Sequence, residues 1–130
     1  MGRRSVIVLD ASALLAYFRR ERGSDIVASV LSESVVSTVN LAEVLSKAVE
    51  RGEDAAAIHR DIRALGVVII PFDEEQALRA SLLRRITTPK GLSLGDRTCL
   101  ALALLNDCEA LTSDTKWSGL PHGAKVRQIR

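Results

Sequence analysis

Uninterrupted apolar runs alternate along the chain with segments in which apolar positions recur every three to four residues. Residues 5–9 form the first run, opened by Ser5 and stopped by Asp10, and residues 34–38 form the second. Residues 67–70 are the third, closed by Pro71; residues 109–112 are a weaker fourth and 126–129 a fifth. Runs of this kind, apolar without alternation, predict strands covered on both faces, as in a parallel sheet. The periodic segments predict helices over 11–20, 25–31, 41–51, 54–65, 74–86 and 96–106, with Gly52 and Gly66 as stops after two of them. In the fourth helix Ala55, Ile58, Ile62 and Leu65 make one apolar stripe, leaving His59, Arg60, Asp61 and Arg63 to water. The last helix has no polar face between Leu100 and Leu105, which predicts burial against the sheet and makes it a candidate contact with a second subunit. Strand–helix alternation of this order implies an open α/β sandwich with right-handed crossovers. Residues 87–92 are the one loop long and polar enough to look functional.

Composition narrows the class without naming a function. At 130 residues, 47% hydrophobic and 26% charged, residues 1–130 are expected to form a single domain with a buried core. That excludes a disordered or fibrous protein. A net charge of +2 is too small to announce a nucleic-acid partner, and four aromatics (Tyr17, Phe18, Phe72, Trp117) are too few for a base-stacking platform. Cys99 and Cys108, read as lying on opposite faces of one helix, cannot pair and lack zinc-site spacing, so a reduced, cytoplasmic protein is expected. Arg3 and Arg4 before an apolar run imitate a leader, but Asp10 interrupts that run and no small-residue cleavage site follows. Val6 stands where a myristoylation motif needs Ser or Thr, and no stretch reaches the length of a membrane span.

The chemistry lies in four acids at element ends. Asp10 ends the first strand, with Ser12 two residues on; Glu43 is one turn into the helix after the second strand, behind Asn40. Asp96 opens the apolar helix, and Asp114 follows the fourth strand, after Ser113. Each has a local explanation: Asp10 as a helix cap, Asn40–Glu43 and Ser93–Asp96 as capping boxes, Asp114 as a turn residue. In a parallel sheet, however, all four belong to the carboxyl-end edge, where ligands bind. Carboxylates gathered there repel and raise one another's pKa unless a cation sits between them. A hard divalent ion, Mg²⁺ or Mn²⁺, suits oxygen donors. Such an ion serves phosphodiester hydrolysis by direct water attack, and no Cys or Ser–His nucleophile is in evidence. Ser12 and Ser113 suit orienting carboxylates or waters through their hydroxyls, and Asn40 suits either that or a cap. His59 and His122 fall outside the set and read as surface residues. With the four acids taken by a metal, 18 basic groups face 12 acidic ones, a balance of +6. Lys90, Arg97 and Lys116 then become candidate RNA contacts, with Arg84 and Arg85 upstream.

In order and spacing, Asp10-Ala-Ser12, Asn40-Leu-Ala-Glu43, Leu92-Ser-Leu-Gly-Asp96 and Leu111-Thr-Ser-Asp114 resemble the motifs of PIN-domain ribonucleases, most closely VapC-type toxins of toxin–antitoxin pairs. The resemblance covers nearly the whole chain. It implies a PIN-like three-layer α/β/α sandwich with a central, mostly parallel sheet of four to five strands. It also implies a Mg²⁺- or Mn²⁺-dependent endoribonuclease cutting structured RNA such as tRNA or ribosomal RNA. Asp10, Glu43, Asp96 and Asp114 would be its catalytic, metal-binding quartet, with Ser12 and Ser113 as polar support. A homodimer and a small cognate antitoxin that blocks the site are further implications. Gly95 and Arg97 beside the third acid depart from the pattern, leaving Arg97 to occupy the site or to touch substrate.

Other readings fit less well. A receiver domain needs a phosphoacceptor Asp ending the third strand, where Pro71 and Phe72 stand. A haloacid-dehalogenase-like phosphatase needs a second Asp at Ser12. A non-catalytic binding module would not need all four acids. A housekeeping RNA-processing nuclease of the same fold stays open beside the toxin.

Overall fold

A computed structural model describes residues 6–130, so Ser5, expected to open the first strand, lies outside the described residues. Five strands, β1 (Ile7–Leu9), β2 (Ser34–Ser37), β3 (Val68–Ile70), β4 (Glu109–Thr112) and β5 (Lys125–Gln128), form one sheet in the order β3-β2-β1-β4-β5. Every neighbouring pair is parallel, with Val8 opposite Val35 on one side and Ala110 on the other. The helices are α1 (Ala11–Phe18), α2 (Ser24–Val30), α3 (Thr38–Glu50), α4 (Ala55–Ala64), α5 (Glu74–Leu82), α6 (Arg84–Thr87) and α7 (Leu94–Leu105).

Both faces of the central strands are covered, which is why β1 reads as a continuous apolar run, whereas the edge strands are more open: Val68 of β3 is 55% exposed, and β5 alternates exposed and half-buried residues. Ile7 and Leu9 join one core with Ala13, Leu14, Val27, Val44 and Ile62 from α1–α4. Val8, between them, points to the opposite core with Ala80, Leu83, Leu100 and Trp117 from the α5–α7 side. The result is a three-layer α/β/α sandwich. Because β1 is flanked by β2 and β4, the strand order reverses there, and the carboxyl ends of β1 and β4 form the crevice where open α/β sheets bind ligands.

Several boundaries differ from the sequence expectation. The strand–helix switch after β2 falls at Ser37, whose hydroxyl accepts from the Val39 amide, so α3 begins at Thr38 rather than residue 41. The helix expected over 74–86 breaks at Leu83 into α5 and α6. The polar loop 87–92 is largely ordered: Thr87 is buried and donates to the Leu83 carbonyl, and Thr88–Lys90 form a tight turn. Helix α7 is buried by α5, α3 and the sheet, so its all-round apolar surface is explained within one chain. Cys108 lies beyond the end of α7; both cysteines are free. His122 is half-buried rather than a surface residue. It bonds through Nε2 to the Trp117 carbonyl (2.9 Å) and accepts at Nδ1 from the Ala124 amide (3.0 Å). A carbonyl only accepts and an amide only donates, so the ring is neutral and protonated on Nε2. It pins the connection from β4 to β5. Among the described residues no helix is long and apolar enough to cross a membrane.

Candidate active site

The site begins where β1 ends. Asp10 leaves the strand in an extended conformation and caps α1, accepting from the Ala13 amide (2.8 Å). Ser12 donates to the same carboxylate (2.8 and 2.9 Å), and Thr112, the last residue of β4, donates to its other oxygen (2.6 Å). The Ser12 hydroxyl accepts from the Ser113 amide (3.0 Å) and the Thr112 hydroxyl from the Asp114 amide (2.9 Å), so β1 and β4 are cross-linked through side chains at their ends. Asp114 opens a tight turn by accepting from the Lys116 amide (2.9 Å).

The opposite wall comes from α3 and α7. Asn40 is buried in the third position of α3 rather than capping it, and its amide donates to Glu43 (2.8 Å) and to the Gly95 carbonyl (3.0 Å). Asp96 closes a complete capping box with Ser93 at the start of α7. Local capping and gathering at one edge are both realised at Asp10, Asp96 and Asp114, so the two readings of these acids do not exclude each other. Asp10, Glu43, Asp96 and Asp114 line one cleft of about 160 Å³, with Ser12, Asn40 and Lys47 beside them.

The electrostatics follow from that crowding. Burial pushes the Asp10 carboxyl up from its ordinary 3.8 to about 6; the bonds from Thr112, Ala13 and Ser12 oppose the rise, and the Asp96 charge adds to it. Burial also raises Glu43, against the Asn40 bond; Asp96 raises it further and Lys47 lowers it. Cys99, fully buried on α7, is pushed well above its ordinary range by burial and by the charges of Asp10, Asp96 and Glu43, so it stays a neutral thiol beneath them.

Among the described residues no three His, Cys, Asp or Glu side chains stand close enough to ligate one ion. At least three of the four carboxylates are turned to donors of their own elements: Asp10 to Ala13 and Ser12, Glu43 to Asn40, Asp96 to Ser93. The donor set nonetheless fits a hard divalent cation. It is carboxylate oxygen without imidazole or accessible thiolate, and two of its members, Asp10 and Glu43, are desolvated and each repelled by Asp96, which a cation would relieve.

Some expected site residues lie elsewhere. Arg97, expected at the RNA face, is a correction: it is 7% exposed and donates from Nη1 to the Ala80 carbonyl of α5 (3.0 Å). From Arg97 to Ala103 every residue of α7 is buried, which leaves Arg97 no solvent face. The Ser113 hydroxyl meets Arg130 (3.4 Å) instead of an acid, and only its backbone amide serves the site. Lys90 and Lys116 are exposed, outside the cleft; Lys90 donates to the Ser118 carbonyl (3.1 Å), on the segment that carries Lys116. Thr112, Gly95 and Lys47 were not anticipated. The position of Lys47 one helical turn after Glu43 is a signal that could have found it.

Comparisons with known proteins place the fold in a family. The family model for the PIN domain matches residues 7–122. No curated protein matches the chain in sequence. A toxin–antitoxin complex from Klebsiella pneumoniae superposes with a TM-score of 0.71 at 22% identity, covering 95% of this chain and 98% of that one. DNA-bound VapBC from Salmonella typhimurium gives 0.75 at 14%, covering 98% and 100%. Mycobacterium tuberculosis VapC20, a sarcin-ricin loop cleaving toxin, gives 0.70 at 14%, covering 91% and 98%. With the family model spanning nearly the whole chain and the same fold in these structures, the chain belongs to the PIN domain family.

Proposed function

We propose that this chain is the toxin of a toxin–antitoxin pair, a divalent-metal-dependent endoribonuclease that hydrolyses phosphodiester bonds of structured RNA. The observation that carries the reading is the convergence of Asp10, Glu43, Asp96 and Asp114, from four separate stretches of chain, on one cleft at the carboxyl edge of the sheet. The toxin–antitoxin complexes among its structural neighbours, and one toxin that cleaves the sarcin-ricin loop, support the biological setting and an RNA target in tRNA or rRNA.

In this reading the four acids hold Mg²⁺ or Mn²⁺. When bound, the cation neutralises a phosphoryl oxygen and acidifies the water that attacks phosphorus. The chain's own residues prepare that step. Thr112 and Ser12 aim the Asp10 carboxylate into the cleft, and Asn40 fixes Glu43 against α7. The raised Asp10 and Glu43 carboxyls favour cation uptake over bare ionisation, since a bound cation offsets their desolvation. Lys90 and Lys116, on one exposed rim, are placed to meet RNA phosphates. The protein acts in the cytoplasm, where its RNA targets are. Leu78 and Leu82, one turn apart on α5 and 63% and 65% exposed, supply an apolar strip for a homodimer.

Inducible expression in a bacterial host tests the reading. Wild type should arrest growth, Asp96→Asn should not, and co-expression of the antitoxin from a neighbouring gene should restore growth. Equal arrest by Asp96→Asn would overturn the nuclease; growth unaffected by either protein would favour the housekeeping RNA-processing nuclease over the toxin.

A further inference from the structure

Helix α3 borders two depressions. One is the acid cleft; the other is an open groove of about 580 Å³ along its outer face, from Thr38 past Ala42 and Ser46 to Glu50. Glu43 and Lys47 line both, so the groove runs into the cleft at these two residues. Small side chains at Ala42 and Ser46 leave the approach open. Resting on the nuclease reading above, we propose that Lys47 grips a phosphate of a single-stranded RNA segment at the mouth of the acid cleft, and that the α3 groove carries that strand in.

Four observations converge on Lys47. Among the described residues it is the one basic residue lining the cleft; Arg97 is turned into the core and Lys90 is drawn to Ser118. Its side chain is exposed, and among the described residues it makes no salt bridge. It is near enough to Glu43 to favour that carboxylate's charged form, yet it is not paired with it. With a cation bound, the Glu43 charge is directed to that ion, and the ammonium is left to the next anion along the path. That anion is the strand's phosphate. Glu50, at the far end of the groove, repels phosphates, so the strand leaves Lys47 toward Thr38 rather than toward the end of α3. A groove along one helix face, leading into a cleft of about 160 Å³, suits a single strand.

A lysine that only balanced Glu43 would change the cleft's metal affinity without changing how RNA binding responds to salt. The test is fluorescence anisotropy of a labelled random-sequence single-stranded RNA with Mg²⁺ present, in an Asp96→Asn background that prevents cleavage. Adding Lys47→Gln should weaken binding about tenfold and flatten the log–log salt dependence by about 0.7, the release expected for one single-strand phosphate contact. Lys47→Arg should preserve both, Glu50→Gln should tighten binding, and thermal melting should be unaltered because these side chains are exposed. An unchanged affinity and slope in Lys47→Gln, or a Lys47→Arg protein as weak as Lys47→Gln, overturns the assignment of Lys47. A parent protein that binds no RNA at all overturns the nuclease reading as well.

Discussion

A Cβ added to Gly95 would lie 2.6 Å from both Cδ and Oε2 of Glu43, at a position inside α7 where the backbone itself accepts alanine. Oε1, which takes the Asn40 bond, would be closer still; ordinary contact begins near 3.4 Å, so the Glu43 carboxylate must withdraw by about 1 Å, against the hydrogen bond from Asn40 that also ties Gly95 to α3. Alanine gains roughly 1 kcal/mol over glycine inside a helix, and losing the Asn40–Glu43 bond costs about the same, so stability should change little. Activity should not survive as well. Displacing a functional group by about 1 Å costs on the order of a hundredfold in rate, so kcat/KM for Mn²⁺-dependent RNA cleavage should fall by about that factor. A double-mutant cycle identifies the cause: in a Glu43→Gln background, Gly95→Ala should add almost nothing. A Gly95→Ala protein with wild-type kcat/KM, or one whose loss persists in full beside Glu43→Gln, would refute the claim that Gly95 exists to make room for Glu43.

Three further outcomes follow from the same geometry. With its carboxyl raised to about 6 in the fold, Asp10 contributes stability that is present below its ordinary 3.8 and lost as pH rises through about 6. Asp10→Asn should therefore be more favourable to the stability of the metal-free protein near pH 8 than near pH 4, by roughly 2 kcal/mol, while abolishing cleavage; calorimetry at both pH values checks this. Thr112→Val removes the donor to Asp10 and the acceptor for the Asp114 amide, and should cost about 1–3 kcal/mol in denaturant melts together with most of the activity. Thr112→Ser should restore both. Arg97→Met removes a buried guanidinium whose Nε has no partner among the described residues, so stability should hold to within about 1 kcal/mol and RNA affinity should be unchanged in titrations.

The strands and the four acids were readable because each is encoded locally. Residues 34–37 and 68–70 sit in short β-branched runs bounded by polar or turn residues, and Asp10, Asp96 and Asp114 carry the signature of element ends because each accepts from backbone amides at the start of a helix or turn. What escaped depends on partners distant in sequence. Thr112 reads as an ordinary β-branched strand former, and its hydroxyl acquires meaning only beside Asp10, 102 residues away. Asn40 looked like a possible cap because Thr38 and Val39 favour strand; the structure places them in the first turn of α3, capped instead by Ser37. Gly95 matters through the space Glu43 fills, which no pattern in its own helix reveals. Arg97 follows Asp96 directly in sequence, but adjacent helix positions face different ways, and the apolar run from Leu100 to Leu105 above it marks the side of α7 that is packed inward.

The central claim is that four carboxylates at the β1–β4 switch point make a metal-dependent ribonuclease. Purified wild-type and Asp96→Asn proteins, incubated with bacterial total RNA in Mg²⁺, Mn²⁺ or chelator and followed by sequencing of 5′ ends, test it directly. The account predicts new ends at discrete RNA positions for wild type with metal, absent with chelator and absent with Asp96→Asn. Ends that appear equally with chelator or with Asp96→Asn, or no new ends with either metal, would contradict it.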